Sequence, residues 1–369
     1  MTGQISSLVR RFAIPIYLVL ILGVLLLAYL LRAVPGDIKQ VNCFIGSEKN
    51  GFLDNQKVKD ILKNKYDLEV AYTRMGSIEQ AYADSSQMDC LWPSNTSALE
   101  IYRDEHKSEF DSGSTKFDTI FNSPIVLYSW QPVVDALLQQ GLVEQINTIY
   151  YTTDTPKLLG MLVEDPPKSW ADLGVPDLYG NFNIFTTDPT RSNSGNMFYA
   201  LFANMLVGGQ VATVDSLKSQ LPIIKAYFDN QGYMEESSGI LFSNYINTGM
   251  GKNPIIANYE SLLIEFSVAH QDSLDLIRDN LRVIYPVPTV WSAHPLIART
   301  ANGKLLLDAL KDADLQEIAW AEHGFRSGLA GAKNDPNLLA ITGVPADVNS
   351  IIPLPRTDAM LDMLDYLRG

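Results

Sequence analysis

Thr190-Arg191-Ser192-Asn193-Ser194-Gly195 places three hydroxyls, a guanidinium, an amide and a glycine side by side, between a strand-like run and an apolar helical stretch. A helix N-terminus carries unpaired backbone N–H groups and a positive dipole end, so this segment has the make-up of an oxyanion site. Arg191 would be its charge partner, with Ser192 and Ser194 as donors. The same serines suit an ordinary N-cap with no ligand involved, and both readings stand. Ser47 follows the first predicted strand, and Ser94 with Asn95 follows the third. Ligands of open α/β sheets bind at the carboxyl ends of strands, which makes these three further candidate contacts. Turn chemistry is the plainer account of the same residues, since Ser and Asn favour turns for backbone reasons.

No catalytic constellation accompanies them. The four histidines, His106, His270, His294 and His323, are scattered, and there is no H-E-x-x-H pair, G-x-S-x-G elbow, phosphate-binding loop or dinucleotide fingerprint. The expectation is therefore a protein that is not an enzyme, with no catalytic residue, no metal site and no cofactor. Two cysteines, Cys43 and Cys90, each sit in a short apolar run that reads as a buried strand, VNCFI and MDCLW. They form a disulfide if those strands are neighbours with Cα atoms under ~7 Å apart, and otherwise are two inert buried thiols.

With 42 acidic against 28 basic residues, the chain carries a formal charge of -14. That balance argues against nucleic acid or anionic lipid as a partner of the folded part. Residues 12–31, FAIPIYLVLILGVLLLAYLL, contain no charge, and about 20 residues at 1.5 Å rise match a ~30 Å hydrocarbon core. Arg10 and Arg11 precede the run and predict an N-terminus on the cytoplasmic side. Arg32-Ala33-Val34-Pro35-Gly36 offers no good cleavage site, so the segment reads as a retained anchor. The expected topology is a cytoplasmic tail over 1–11, a transmembrane signal-anchor helix over 12–32, and a large domain on the periplasmic or extracellular side of the cell (inner) membrane.

That domain exceeds the size at which one hydrophobic core usually stops growing, which predicts two lobes. Short apolar runs alternate with amphipathic stretches, the pattern of an α/β fold with parallel strands. Strands are predicted over 40–45, 68–72, 88–92, 123–130, 182–186, 254–259 and 281–287, the last continuing toward Trp291. Helices are predicted over 56–65, 78–83, 133–140, 142–149, after Gly195, from Ser261, over 303–321 and over 358–367.

Four ordered signals run across the chain beyond residue 37: VNCFIGSEKN, KSWADL followed by LYGNFNIFTTDPTRSNSG, NPIIANYES, and VIYPVPTVWSAHPLIARTANG with a late HGFRSG. Together they resemble the bacterial extracellular solute-binding proteins of the type II periplasmic binding fold. The resemblance implies two α/β lobes, the first over 38–124 and 288–369 and the second over 125–287. It implies hinges near 124–128 and 285–290 and a ligand held in the cleft, which is closed by hinge motion. It also places Tyr259 and Glu260, at the end of a second-lobe strand, among ligand-facing residues, with a hinge or interlobe salt bridge as the alternative for Glu260. The function it implies is capture of a small solute, with an ABC permease or another membrane protein as partner. A tethered sensor or assembly subunit is the competing reading.

Overall fold

The computed structural model describes residues 37–369, together with Gly23, and the predicted anchor over 12–32 lies outside that range. Among the described residues no helix is long and apolar enough to cross a membrane. Ten strands are present among them: β1 (Lys39–Ile45), β2 (Leu68–Arg74), β3 (Cys90–Trp92), β4 (Lys116–Trp130), β5 (Val143–Ile146), β6 (Ile149–Thr152), β7 (Ile255–Tyr259), β8 (Leu281–Tyr285), β9 (Trp291–Ala298) and β10 (Arg326–Ser327).

These strands build two sheets that share one long strand. In lobe 1, β1 lies between β2 and β3 with both pairings parallel, and β9 runs antiparallel to β3 and to the first half of β4. At Ile125, β4 leaves β9 and enters the second sheet, where β7 and β8 flank it antiparallel. The chain crosses back over 286–290, between β8 and β9. The predicted hinge segments coincide with two adjacent passages of backbone between the lobes, and the chain passes once more between β10 and Ile341.

Each lobe has its own apolar core. Val41, Phe52, Trp92, Phe121, Leu296 and Phe325 pack lobe 1, while Leu127, Phe198, Phe202, Tyr227, Ile255 and Ile284 pack lobe 2. The disulfide Cys43–Cys90 joins neighbouring strands β1 and β3 inside lobe 1, with Cα atoms 4.7 Å apart. Local chemistry accounts for many boundaries. Asn55 caps helix Gln56–Tyr66 by accepting from the Lys57 amide, and Asp67 ends it in the left-handed conformation at φ 54°.

Four expectations are corrected. Residues 142–149 form the hairpin β5–β6 rather than a helix, because Gly141 and Asn147 both adopt positive φ and Asn147 makes the turn. The stretch 182–186 forms no continuous strand: Phe185 bridges to Ile256 and the Phe182 amide donates to the Lys168 carbonyl, while the Ile184 carbonyl is taken by the Tyr227 hydroxyl and the Gln231 amide. The helix expected over 303–321 is two, Ala301–Ala309 and Ala313–His323, since Asp312 accepts from the amides of Asp314 and Leu315 and starts a new helix. The C-terminal stretch does not stay with lobe 1. Ile341, Val344, Ile352, Met360, Met363 and Leu367 join the lobe 2 core. The Asn204 amide holds the Pro353 carbonyl at 2.8 Å, and the Arg356 amide donates to Ala212, which ties this tail to lobe 2.

Candidate functional site

The seam between the lobes is a buried polar cluster built from strand ends. In lobe 1 the chain leaves β1 through Gly46 into a tight turn, Ser47–Lys49, which brings Glu48 and Lys49 beneath the interface, 9% and 0% exposed. Lys49 Nζ donates to Glu48 Oε1 at 2.6 Å and to Ser94 Oγ at 2.7 Å, and the Ser94 hydroxyl donates to the same carboxylate. A Cβ on Gly46 would lie 2.4 Å from Glu48 Oε1 and 2.7 Å from Ser94 Oγ, so glycine is what lets the carboxylate fold back over its own turn.

From β9, Ser292 and His294 face the same cluster, two positions apart on one side of the strand, as its twofold period requires. The Ser292 hydroxyl donates to the Ser94 carbonyl at 2.5 Å and lies 3.3 Å from His294 Nε2. His294 Nδ1 stands 3.6 Å from Glu48 Oε1.

Lobe 2 meets this cluster with Asn193, the first residue of helix Asn193–Leu206. Its Nδ2 donates to the Ser94 carbonyl and to Tyr259 Oη, both at 2.8 Å, and its Oδ1 accepts from the Asn95 amide. Asn95 Oδ1 meanwhile caps helix Thr96–Glu105 by accepting from the Ala98 amide at 2.7 Å. Asn95 is thus a cap and an interlobe contact at once.

Electrostatics follow from burial. Desolvation pushes the Glu48 carboxyl up, but the Lys49 ammonium and the hydrogen bonds from Lys49 and Ser94 outweigh it and bring it to about 2. Desolvation holds the Lys49 ammonium below its usual value against the pull of Glu48. Burial, and next the Lys49 charge, hold His294 well below the ordinary imidazole range, so the ring is neutral at pH 7.

The structure brings Ser94, Asn95 and Tyr259 together at the seam. Ser47 is half-buried on the turn beside it. Ser192 occupies the N-cap position without a side-chain cap bond. Ser194 Oγ instead meets Thr187 Oγ1 at 2.9 Å and Ser238 Oγ at 2.7 Å, and the Gly195 amide donates to Thr187 Oγ1, so the helix end spends one of its free N–H groups on the chain itself.

Arg191 lies at the rim. Its side chain is 59% exposed and pairs with Glu236, while its carbonyl approaches the lobe 1 turn at Gly76. Glu260 stands apart, beside the crossings between the lobes, where its amide donates to the Pro124 carbonyl at 3.2 Å. It accepts two bonds from Arg326, at 2.6 and 2.8 Å, and one from the Tyr285 hydroxyl at 2.6 Å.

Glu48, Lys49, Asn193, Ser292 and His294 carry much of the seam, yet only Asn193 lay within a segment singled out from the sequence, and it was given no contact of its own. A signal existed for the last pair: two polar residues at i and i+2 in an otherwise apolar strand belong on one inward face. A groove of about 610 Å³ on lobe 2, lined by Trp130, Phe242, Ile246, Leu262, Phe266 and His270 among others, shares no residue with the seam.

No family profile and no curated protein matches the chain. Solved structures do. The substrate-binding protein of an ABC transporter from Agrobacterium tumefaciens is similar at TM-score 0.54 with 12% identity, over 91% of this chain and 96% of that one. Iron-bound HitA from Pseudomonas aeruginosa gives 0.55 with 10% identity, over 89% and 98%. A two-component system protein described as mediating signal transduction gives 0.50 with 12% identity, over 89% and 100%. With two lobes, a strand shared between their sheets and a polar seam at strand ends, the chain has the mixed α/β fold of the type II periplasmic binding proteins.

Proposed function

We propose that this chain is a membrane-tethered extracytoplasmic protein that captures a small solute between its lobes for an ABC-type importer. The observation that carries the reading is the polar seam. Donors and acceptors from β1, β3, β9 and helix Asn193–Leu206 converge where the lobes meet, and adjacent crossings over β4 and 286–290 suit a hinge. The tether rests on the apolar run 12–31 and its basic flank. Ser94, Asn95 and Tyr259 are the proposed contacts, with Ser192 and Ser194 behind them and Ser47 and Arg191 at the rim. Glu260 serves the hinge.

The test is thermal unfolding of the full-length chain against oxyanions, metal ions, amino acids, sugars and polyamines. Selective binding to the folded state raises stability by ~2.7 kcal/mol at a hundredfold excess over Kd. A shift confined to one class supports the reading, and no shift with any class overturns it.

A second reading, a tethered sensor or assembly subunit, is favoured by one observation. The seam's polar groups are largely satisfied by the chain itself, as Asn193 with Ser94 and Tyr259, and Lys49 with Glu48. For a partner-holding subunit, solutes leave the melting temperature unchanged and a membrane partner copurifies with the full chain.

A further inference from the structure

Lys49 is held in the seam as a bound amine would be. Its Nζ meets a carboxylate oxygen at 2.6 Å and a serine hydroxyl at 2.7 Å, and stands 5.6 Å from the centre of the Trp92 ring. Opposite charge, a neutral acceptor and an aromatic face are the means by which proteins hold an ammonium. Lys49, Ser94 and Trp92 are each 0% exposed. One more polar atom of the cluster is left without a partner. His294 is fully buried and neutral, and its Nδ1 has no hydrogen-bond partner while standing 3.6 Å from Glu48 Oε1.

Stability alone does not call for this arrangement. A buried ion pair between sequence neighbours gains little over apolar residues of the same volume, because desolvating both charges consumes most of the attraction. Nor does the cluster suit an oxyanion. Glu48, with its carboxyl held at about 2, is ionised at neutral pH and would repel an anion at the position Lys49 fills.

We propose that the seam is a primary-ammonium site which the chain fills with its own Lys49, so that a free solute entering it must itself carry a primary ammonium and displace this side chain. The proposal rests on the seam being the binding cleft, and it names the ligand class for that cleft. Lys49 is then a tethered competitor that lets the lobes meet without solute and raises the concentration of amine needed to occupy the site.

The experiment is chemical replacement in the full-length protein. Lys49→Ala removes the atoms that n-propylammonium supplies. Propylammonium is expected to raise the melting temperature of Lys49→Ala by about 2–4 °C, with no rise from n-propanol or propionate at the same concentration and none in the wild type. Equal shifts from amine and alcohol, or an equal shift in the wild type, overturn the proposal.

Lys49→Ala leaves Glu48 buried without a partner, so Glu48→Gln/Lys49→Ala is measured beside it. The double variant is expected to fold without amine and to lose the preference for amine over alcohol. A retained preference overturns the proposal, as does a Lys49→Ala that folds neither with nor without propylammonium while the double variant folds. Failure here removes the ammonium assignment alone, because the wild-type solute screen tests the cleft independently.

Discussion

Asn193 of lobe 2 donates from Nδ2 to the carbonyl of Ser94 in lobe 1 at 2.8 Å. The same nitrogen reaches Tyr259 Oη, and Oδ1 takes the Asn95 amide, so one side chain closes the seam from the lobe 2 side. Asn193→Ala leaves the buried Ser94 carbonyl with Ser292 and removes one of the hydrogen bonds to Tyr259. A lost buried hydrogen bond costs about 1–3 kcal/mol. The cost falls on contact between the lobes rather than on either core, so solution scattering of Asn193→Ala is expected to show a larger radius of gyration with both lobes folded. An unchanged radius would remove Asn193 from the latch.

Arg326, on β10 of lobe 1, and Glu260, at the end of β7 in lobe 2, form a buried pair, both under 3% exposed, with Arg326 also donating to the Pro345 and Ala346 carbonyls and stacking on Trp320. Removing one partner strands the other charge. Arg326→Met is expected to lower unfolding stability by about 3–5 kcal/mol, and Glu260→Leu/Arg326→Met to recover part of that loss. Urea unfolding measures both, and a double variant no more stable than the single one would contradict the account.

Acid should weaken the seam in two steps. His294 binds its proton more readily unfolded than folded, so its contribution to stability is present above pH 6.5 and falls as pH drops below it, by up to about 1.4 kcal/mol per pH unit. Glu48, depressed to about 2, contributes stability that is whole above pH 4.5 and is lost as pH falls toward 2. Comparing urea midpoints, His294→Asn is expected to flatten the slope just below pH 6.5, and Glu48→Gln/Lys49→Met the slope below 4.5. Unaltered slopes would place the acid sensitivity elsewhere.

The Cys43–Cys90 bridge closes a separation of 47 residues within lobe 1. Such a link stabilises mainly by restricting the unfolded chain, typically by 2–4 kcal/mol. Cys43→Ala/Cys90→Ala is expected to lower stability by about that amount, and to leave untouched any solute response measured in the wild type. A thiol count of two in the oxidised wild-type protein would show instead that the bridge does not form.

Local patterns made several features legible. The 3.6 period locates helices Gln56–Tyr66 and Thr357–Arg368, which each bury one side, and short apolar runs locate strands β1, β2 and the wholly buried β7 to within a few residues. Asn95 could be read as a turn residue before a helix, which it is, but its second contact with Asn193 has no local trace. The pattern misled where a short amphipathic run fits both periods, as at 142–149, and the left-handed turn at Asn147 decided for a hairpin.

By itself the sequence determined the alternation of strands and helices and the polar turns after β1 and β3, since these follow from neighbours in the chain, while the two-lobed plan came from the length of the domain and the family resemblance. The fold alone decided which polar residues meet. Glu48 and Lys49 read as an ordinary charged turn, and His294 as one scattered imidazole, until β1, β3 and β9 lie side by side and bury them together. Burial is a property of the assembled lobes, and it is burial that turns a surface-type ion pair into a desolvated site with shifted protonation.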